Sequence, residues 1–283
     1  MLHPIVIEIV GDDATKIRGD VLALKFAQAR FGIDAYVFKK LIEEGQQKEE
    51  MSPEPGGYSL LPSACGIAAN KILFIGAVPA YEFKYIQVRE FGRLTLASLA
   101  GIEPQAKSII VTMHGVGFGL DESESFQSQI AGFIDAVKSA EIPDQLERII
   151  FAERNSGRAE RLKIILDEIL PNGIIEFDTR WNIKNISPVA TEKLRSVGYS
   201  SNSKKHVFVA MPFRSEMHDI YDYGISSAVR SAGYLCERAD LSSFTGDVMQ
   251  WVRERIKSAS LVVADLSGSN PNVYLEVGVE CRN

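Results

Sequence analysis

Apolar residues fall along this chain in two rhythms, short continuous runs and longer spaced stripes. The runs are Ile5 to Val10, Val21 to Phe26, Lys71 to Gly76, Ser108 to Met113, Arg148 to Phe151 and Gly173 to Phe177. Their length and β-branched content predict buried strands. Between them, Tyr36 to Glu44, Phe83 to Leu99, Glu122 to Ala140 and Arg158 to Leu170 carry apolar residues at helical spacing. Strand alternating with helix predicts a three-layer α/β domain over residues 1–180. Residues 181–204 are rich in Asn, Ser, Lys and Gly and read as a linker, with a short helix from Thr191 to Ser196.

A second alternation starts at residue 205 and runs to 283. It predicts strands Val207 to Met211, Tyr234 to Arg238 and Leu261 to Asp265, with helices Glu216 to Ala232 and Asp247 to Ser258. Val248, Trp251, Val252 and Ile256 stripe the latter helix. A short helix opens after Asn270, because Asn caps helices and Pro271 is pre-organised for the first helical position. The expected order is a parallel 2-1-3 sheet, in which ligands sit outside the carboxyl ends of the strands. Asp265 then ends the third strand beside that cleft. Asn272 and Glu276 lie four residues apart, on one face of the helix that leaves it. The helix dipole favours an ionised Glu276, and Met211, Pro212, Phe213, Arg238, Asp240, Asp265 and Glu276 are expected around one concavity. Arg214 adds a cation, while Asp247 reads as an ordinary acid at a helix start. Leu261 to Val263 is wholly apolar, as in a strand covered on both faces. Little chain follows to cover it, so the sheet looks truncated, to be completed by a longer chain, by self-association or by a partner subunit.

In the first domain, Gly115, Val116, Gly117, Phe118 and Gly119 form a loop between a strand and a helix. Such a loop offers backbone N–H groups and a helix dipole to a phosphate, and it is equally a plain tight turn.

Two resemblances follow. Val207 to Phe213 and Asn272 to Gly278 resemble the nucleoside 2-deoxyribosyltransferase group and TIR-like nucleotide N-glycosidases. That likeness implies a flavodoxin-like sheet, and a glutamate, here Glu276, that attacks or stabilises the anomeric carbon of a ribosyl group. It also implies that the Met211 to Phe213 loop lines the base or ribose pocket. Asp265 would bind ribose hydroxyls or position Glu276, and Asn270 and Asn272 would flank the substrate. Gly19-Asp20-Val21, Gly56-Gly57-Tyr58 and the Gly115 to Gly119 loop resemble a macro domain, and equally the amino-terminal domain of leucine aminopeptidases. The macro likeness implies an ADP-ribose-like ligand with its diphosphate at the glycine loop.

Composition narrows the classes. In 283 residues, 46% are hydrophobic and 24% charged, as in globular domains, and the net charge of −6 gives no general pull toward nucleic acid or anionic membrane. No apolar run reaches the roughly 18–20 residues of a membrane span. Cys65, Cys236 and Cys281 form neither a disulfide framework nor a metal pattern, so a cytoplasmic protein with free thiols and no metal is expected. The histidines are scattered, without triad spacing. The reading is a nucleotide N-ribosyl hydrolase or transferase without a cofactor. NAD is the leading substrate, since its cationic nicotinamide leaves without a proton donor. A nucleotide sensor that drives assembly, or a structural interaction module, are the alternatives from other classes.

Overall fold

The structure is a computed structural model, and it describes residues 3–27, 32–79, 82–116, 119–179, 182–201, 204–239 and 248–280. The chain divides into two compact units. One is Met1–Gly115 with Glu122–Ser201, the other Val116–Asp121 with Asn202–Asn283.

The first unit is a mixed α/β sandwich. Its strands are β1 (Ile5–Val10), β2 (Gly19–Phe26), β3 (Tyr58–Pro62), β4 (Ala69–Gly76), β5 (Ser108–Val111), β6 (Arg148–Ala152) and β7 (Ile174–Ile175). They form one sheet in the order β3-β4-β2-β5-β6-β1-β7. The five inner strands are parallel, and β3 and β7 close the edges antiparallel. Helices α1 (Gly32–Glu43), α2 (Tyr85–Ile102), α3 (Glu122–Lys138) and α4 (Ser156–Ile169) cover it. Alternate strand residues feed opposite faces. Val21, Ala23, Ile109, Val111 and Phe151 pack with Phe91 of α2, Phe126 and Phe133 of α3, and Leu162 of α4. Leu22, Leu24, Phe74 and Ile110 face Val37 and Leu41 of α1. The apolar runs read from the sequence are these two-sided strands.

Helices α2 and α3 touch backbone to backbone. A Cβ on Gly132 would lie 1.9 Å from the Arg89 carbonyl oxygen, and one on Gly92 2.5 Å from that of Gln129. Beside this crossing Arg89 is buried. Its Nε and Nη2 donate to Asp135 at 2.6 and 2.9 Å, and its Nη1 donates to the Leu194 and Val197 carbonyls. Those carbonyls end α5 (Pro188–Ser196), and Tyr199 stacks under the guanidinium at 4.4 Å. Residues 182–201, read as a linker, thus belong to the first unit. They also include β9 (Asn182–Ile183), which pairs with β8 (Phe177–Thr179).

The second unit has three parallel strands, β10 (His206–Ala210), β11 (Leu235–Arg238) and β12 (Leu261–Ala264), in the order β11-β10-β12. In chain order this is the 2-1-3 arrangement with which flavodoxin-like sheets begin. Helix α7 (Val248–Ser258) and helix α8 (Pro271–Glu280) lie against one face. The expected helix 216–232 is instead a 3-10 turn at Ser215–Met217, a π-helical stretch Ile220–Ser226, and α6 (Ser227–Ser231). Strand β12 also departs from expectation. Leu261 is 58% exposed and Val262 and Val263 are only half-buried, because β12 is an edge of the described sheet. The Asp121 carboxylate meets the Lys204 ammonium at 3.3 Å within this unit.

Candidate functional site

The carboxyl end of β10 organises the second unit's candidate residues. Phe208 and Ala210 face Val252 and Ile256 of α7 and Val273 of α8. Val209 and Met211 face the other way, toward Tyr221 of the π-helical stretch. Arg238 ends β11 in register with Val209 and so lies on that second face. Its guanidinium stacks on Tyr221 at 4.1 Å and lies 5.9 Å from the Phe213 ring, with Nη1 3.6 Å from the Met211 sulfur. These cation–π contacts hold a 2% exposed arginine in place. Pro212 is buried beside Met211, and the Phe213 ring is half-exposed. Burial pushes the Tyr221 hydroxyl and the Cys236 thiol up, and the two side chains hydrogen-bond. Sequence reading missed Tyr221 and Cys236. Their signal is a tyrosine and a cysteine on the apolar face of an otherwise polar segment.

Asp265 follows β12. Its N–H donates to the Ala210 carbonyl at 2.8 Å, and its carboxylate accepts the Ser267 N–H at 2.8 Å. This is turn chemistry of the kind Asp favours. Gly268 takes φ +71°, and a Cβ there would meet the Arg214 guanidinium at 3.3 Å. Asn270 caps α8, its side chain accepting the Asn272 N–H at 2.9 Å, while the Asn272 side chain is exposed.

Glu276 is different. It sits about one and a half turns into α8, on the side shared by Val273 and Val277, and is 8% exposed. No hydrogen bond or ion pair reaches its carboxyl among the described residues. Burial pushes its pKa up to about 7. Burial thus works against the ionised form that the helix dipole was expected to favour. The helix dipole acts within the first turn, and Glu276 lies beyond it, in apolar surroundings. A correction concerns the shared concavity. Met211 and Arg238 occupy one face of the sheet and Glu276 belongs to a helix on the other, with the carboxyl end of β10 between them. Asp240, with Phe244 and Asp247, lies outside the described residues.

In the glycine loop, Gly115 and Gly119 both have positive φ, +83° and +88°, and Val116 bridges to Leu120. Gly117 and Phe118 lie outside the described residues. Residues Val116–Asp121 group with the second unit, where the Gly119 backbone approaches Arg255 of α7. Arg255 in turn binds Glu237 of β11 through Nε at 2.8 Å and Nη2 at 2.6 Å. Gly56 and Gly57 hydrogen-bond to Gly76 at the carboxyl end of β4. Gly19 and Asp20 sit at the opposite edge, where the Asp20 carboxylate accepts the Lys107 and Ser108 N–H groups. That glycine–aspartate pair is a strand-to-strand tie.

Next to the loop, His114 is buried edge-on against Phe91 at 4.2 Å, and its Nε2 has no partner among the described residues. Burial holds its pKa well below the usual histidine value. At the carboxyl end of β2, Lys25 pairs with buried Asp34 at 3.0 Å. Among the described residues no group of three His, Cys, Asp or Glu is placed to hold a metal ion. No helix of the described residues is long and apolar enough to cross a membrane.

No family model and no curated protein matches the chain. Solved structures that resemble it are macrodomains and an aminopeptidase. A macrodomain of Oceanobacillus iheyensis with MES bound is 14% identical, with a TM-score of 0.44, over 57% of this chain and 90% of that one. A Trypanosoma brucei macrodomain in complex with ADP-ribose is 15% identical, with a TM-score of 0.44, over 56% of this chain and 68% of that one. Tomato leucine aminopeptidase is 15% identical, with a TM-score of 0.40, and the match spans only 36% of the aminopeptidase.

Proposed function

We propose that the second unit breaks or transfers the N-ribosyl bond of a nucleotide, with Glu276 as the reacting carboxyl. The observation that carries this reading is a nine-tenths buried glutamate with no partner among the described residues, on the helix leaving the carboxyl end of a parallel sheet. Burying a carboxyl without a partner costs free energy, and such groups concentrate where chemistry needs them. Phe213 offers a half-exposed ring just past the carboxyl end of β10. The glycine loop from Gly115 to Gly119 is the proposed seat of an ADP-ribose-like diphosphate. Incubating the full chain with NAD and with deoxynucleotides, then separating released base by chromatography, tests the reading. Base release above a no-protein control is expected, and none from any nucleotide overturns it.

One observation favours a second reading, a nucleotide sensor that assembles without turnover. Asp265 and Asn270 spend their side chains on a turn and a cap, while Leu261, Leu266, Tyr274 and Leu275 leave an apolar surface around the edge strand β12. Exposed edges of this kind pair with other chains. Sedimentation that shifts on adding nucleotide, with no base released, selects this alternative.

A further inference from the structure

Resting on the proposed N-ribosyl chemistry, we infer that Glu276 is the proton donor to the departing base, so the substrate is a nucleotide whose base leaves neutral and needs protonation. The inference starts from what surrounds the carboxyl. Its own helix offers Val273 and Val277 on the same side. Of the elements packed against α8, α7 carries Arg253, Glu254, Arg255 and Lys257, and β10 carries His206. None of them hydrogen-bonds or ion-pairs with Glu276 among the described residues. Arg255, the partly buried cation of α7, is held by Glu237. A carboxylate that attacks or stabilises a cationic sugar must be ionised before substrate arrives. A carboxyl packed beside apolar side chains, with no cation to hold it among the described residues, is shifted toward the neutral acid. Its pKa, pushed up to about 7, agrees with that state.

The second carboxyl group has the opposite setting. Asp265 is half-buried, and its Oδ1 accepts the Ser267 N–H at 2.8 Å, so this carboxyl has a hydrogen-bond donor where Glu276 has none among the described residues. Two carboxyl groups in contrasting environments are the arrangement in which one donates and the other accepts a proton. The step balances as follows. The bond from C1′ to the base nitrogen breaks, and its electron pair stays with the nitrogen, which takes the Glu276 proton. Water adds its oxygen to C1′ and gives its proton to Asp265. Exchange through solvent returns that proton to Glu276, leaving free base and the 1′-hydroxyl sugar. A cationic leaving group, such as nicotinamide or an N7-methylated purine, already departs neutral and draws nothing from Glu276.

The test compares wild-type chain and Glu276→Gln on adenosine and deoxyadenosine monophosphates, and on N7-methylguanosine monophosphate and NAD. Thermal melting of both proteins checks the fold. Glu276→Gln is expected to lower kcat/KM about a hundredfold or more on the neutral-base nucleotides and under about tenfold on the cationic ones. The wild-type kcat/KM on adenosine monophosphate is expected to fall as pH rises above about 7 and to stay level on N7-methylguanosine monophosphate. Equal losses on both substrate types overturn the inference in favour of an ionised, nucleophilic Glu276. Wild-type turnover of the cationic nucleotides alone also overturns it, yet leaves N-ribosyl cleavage standing. No base release from any nucleotide overturns both.

Discussion

At the scale of single residues, the second unit gives up stability to keep a carboxyl where Glu276 is. Its pKa rises from an ordinary 4.5 to about 7 on folding, so the folded chain holds the proton more tightly than the unfolded chain. Between those values the native state binds more protons, and stability therefore falls as pH rises through the window. Glutamine has the shape of the neutral acid and none of this penalty. Glu276→Gln is expected to melt above wild type at pH 8 and to converge with it near pH 4.5. A calorimetric series in which wild type melts higher at pH 8 refutes the burial argument. The position of Glu276 was readable from the spacing Asn270-Pro271-Asn272 to Glu276, since helix caps are local chemistry. Its protonation was not, because that depends on Val273 and Val277 beside it and on the cations of α7 making no contact with it among the described residues, which no local pattern records. Asp265 and Asn270 show the converse. Their residue types suit a site, and the backbone N–H each also accepts, from Ser267 and Asn272, could not be read from residue type alone.

At the scale of elements, the crossing of α2 and α3 depends on two missing side chains. A methyl on Gly132 would overlap the Arg89 carbonyl, so the helices must separate or the backbone must shift. Gly132→Ala is expected to destabilise the first unit by about 1–3 kcal/mol, the usual cost of overpacking, and urea unfolding followed by far-ultraviolet dichroism measures it. An unchanged midpoint would mean that the crossing is looser than it looks. The inner strands of this unit were legible because burial on both faces writes continuous apolar runs, whereas β8 and β9 were not read. The segment after Gln145 illustrates this, with Arg148 to Phe151 read within one residue of β6. The stretch Ile220–Ser226 was not legible as π-helix, since its apolar spacing suits an ordinary helix and the wider turn is set by packing. Residues 182–201 misled through composition. Their polar surface hides the carbonyls of Leu194 and Val197, and those carbonyls are what Arg89 grips. Strand β12 misled in the other direction, because an apolar run says nothing about whether a neighbour is present to cover it.

At the scale of the whole chain, the two units differ in how much core they own. The first packs both faces of a seven-stranded sheet, whereas the described core of the second rests on Phe208, Ala210, Val252, Ile256 and Val273 on one face and Val209, Met211 and Tyr221 on the other. Stability per unit scales with buried apolar surface. Two calorimetric transitions are expected, the second unit melting first. A nucleotide that binds only that unit, at a hundred times its Kd, is expected to add about 2.7 kcal/mol to the lower transition and leave the upper one in place. A single transition that moves as one would refute the separation. The grouping of Val116–Asp121 with residues beyond 201 has a consequence for the chain while it is being made. Asp121 and Lys204, which pair in the finished protein, are 83 positions apart. At ribosomal speeds of about 5–20 residues per second, the earlier segment waits roughly 4–17 s for its partner to be synthesised. Throughout that wait Val116 and Leu120 have nothing of their own unit to pack against. A newborn chain thus carries one short segment of its second unit long before the rest of that unit exists.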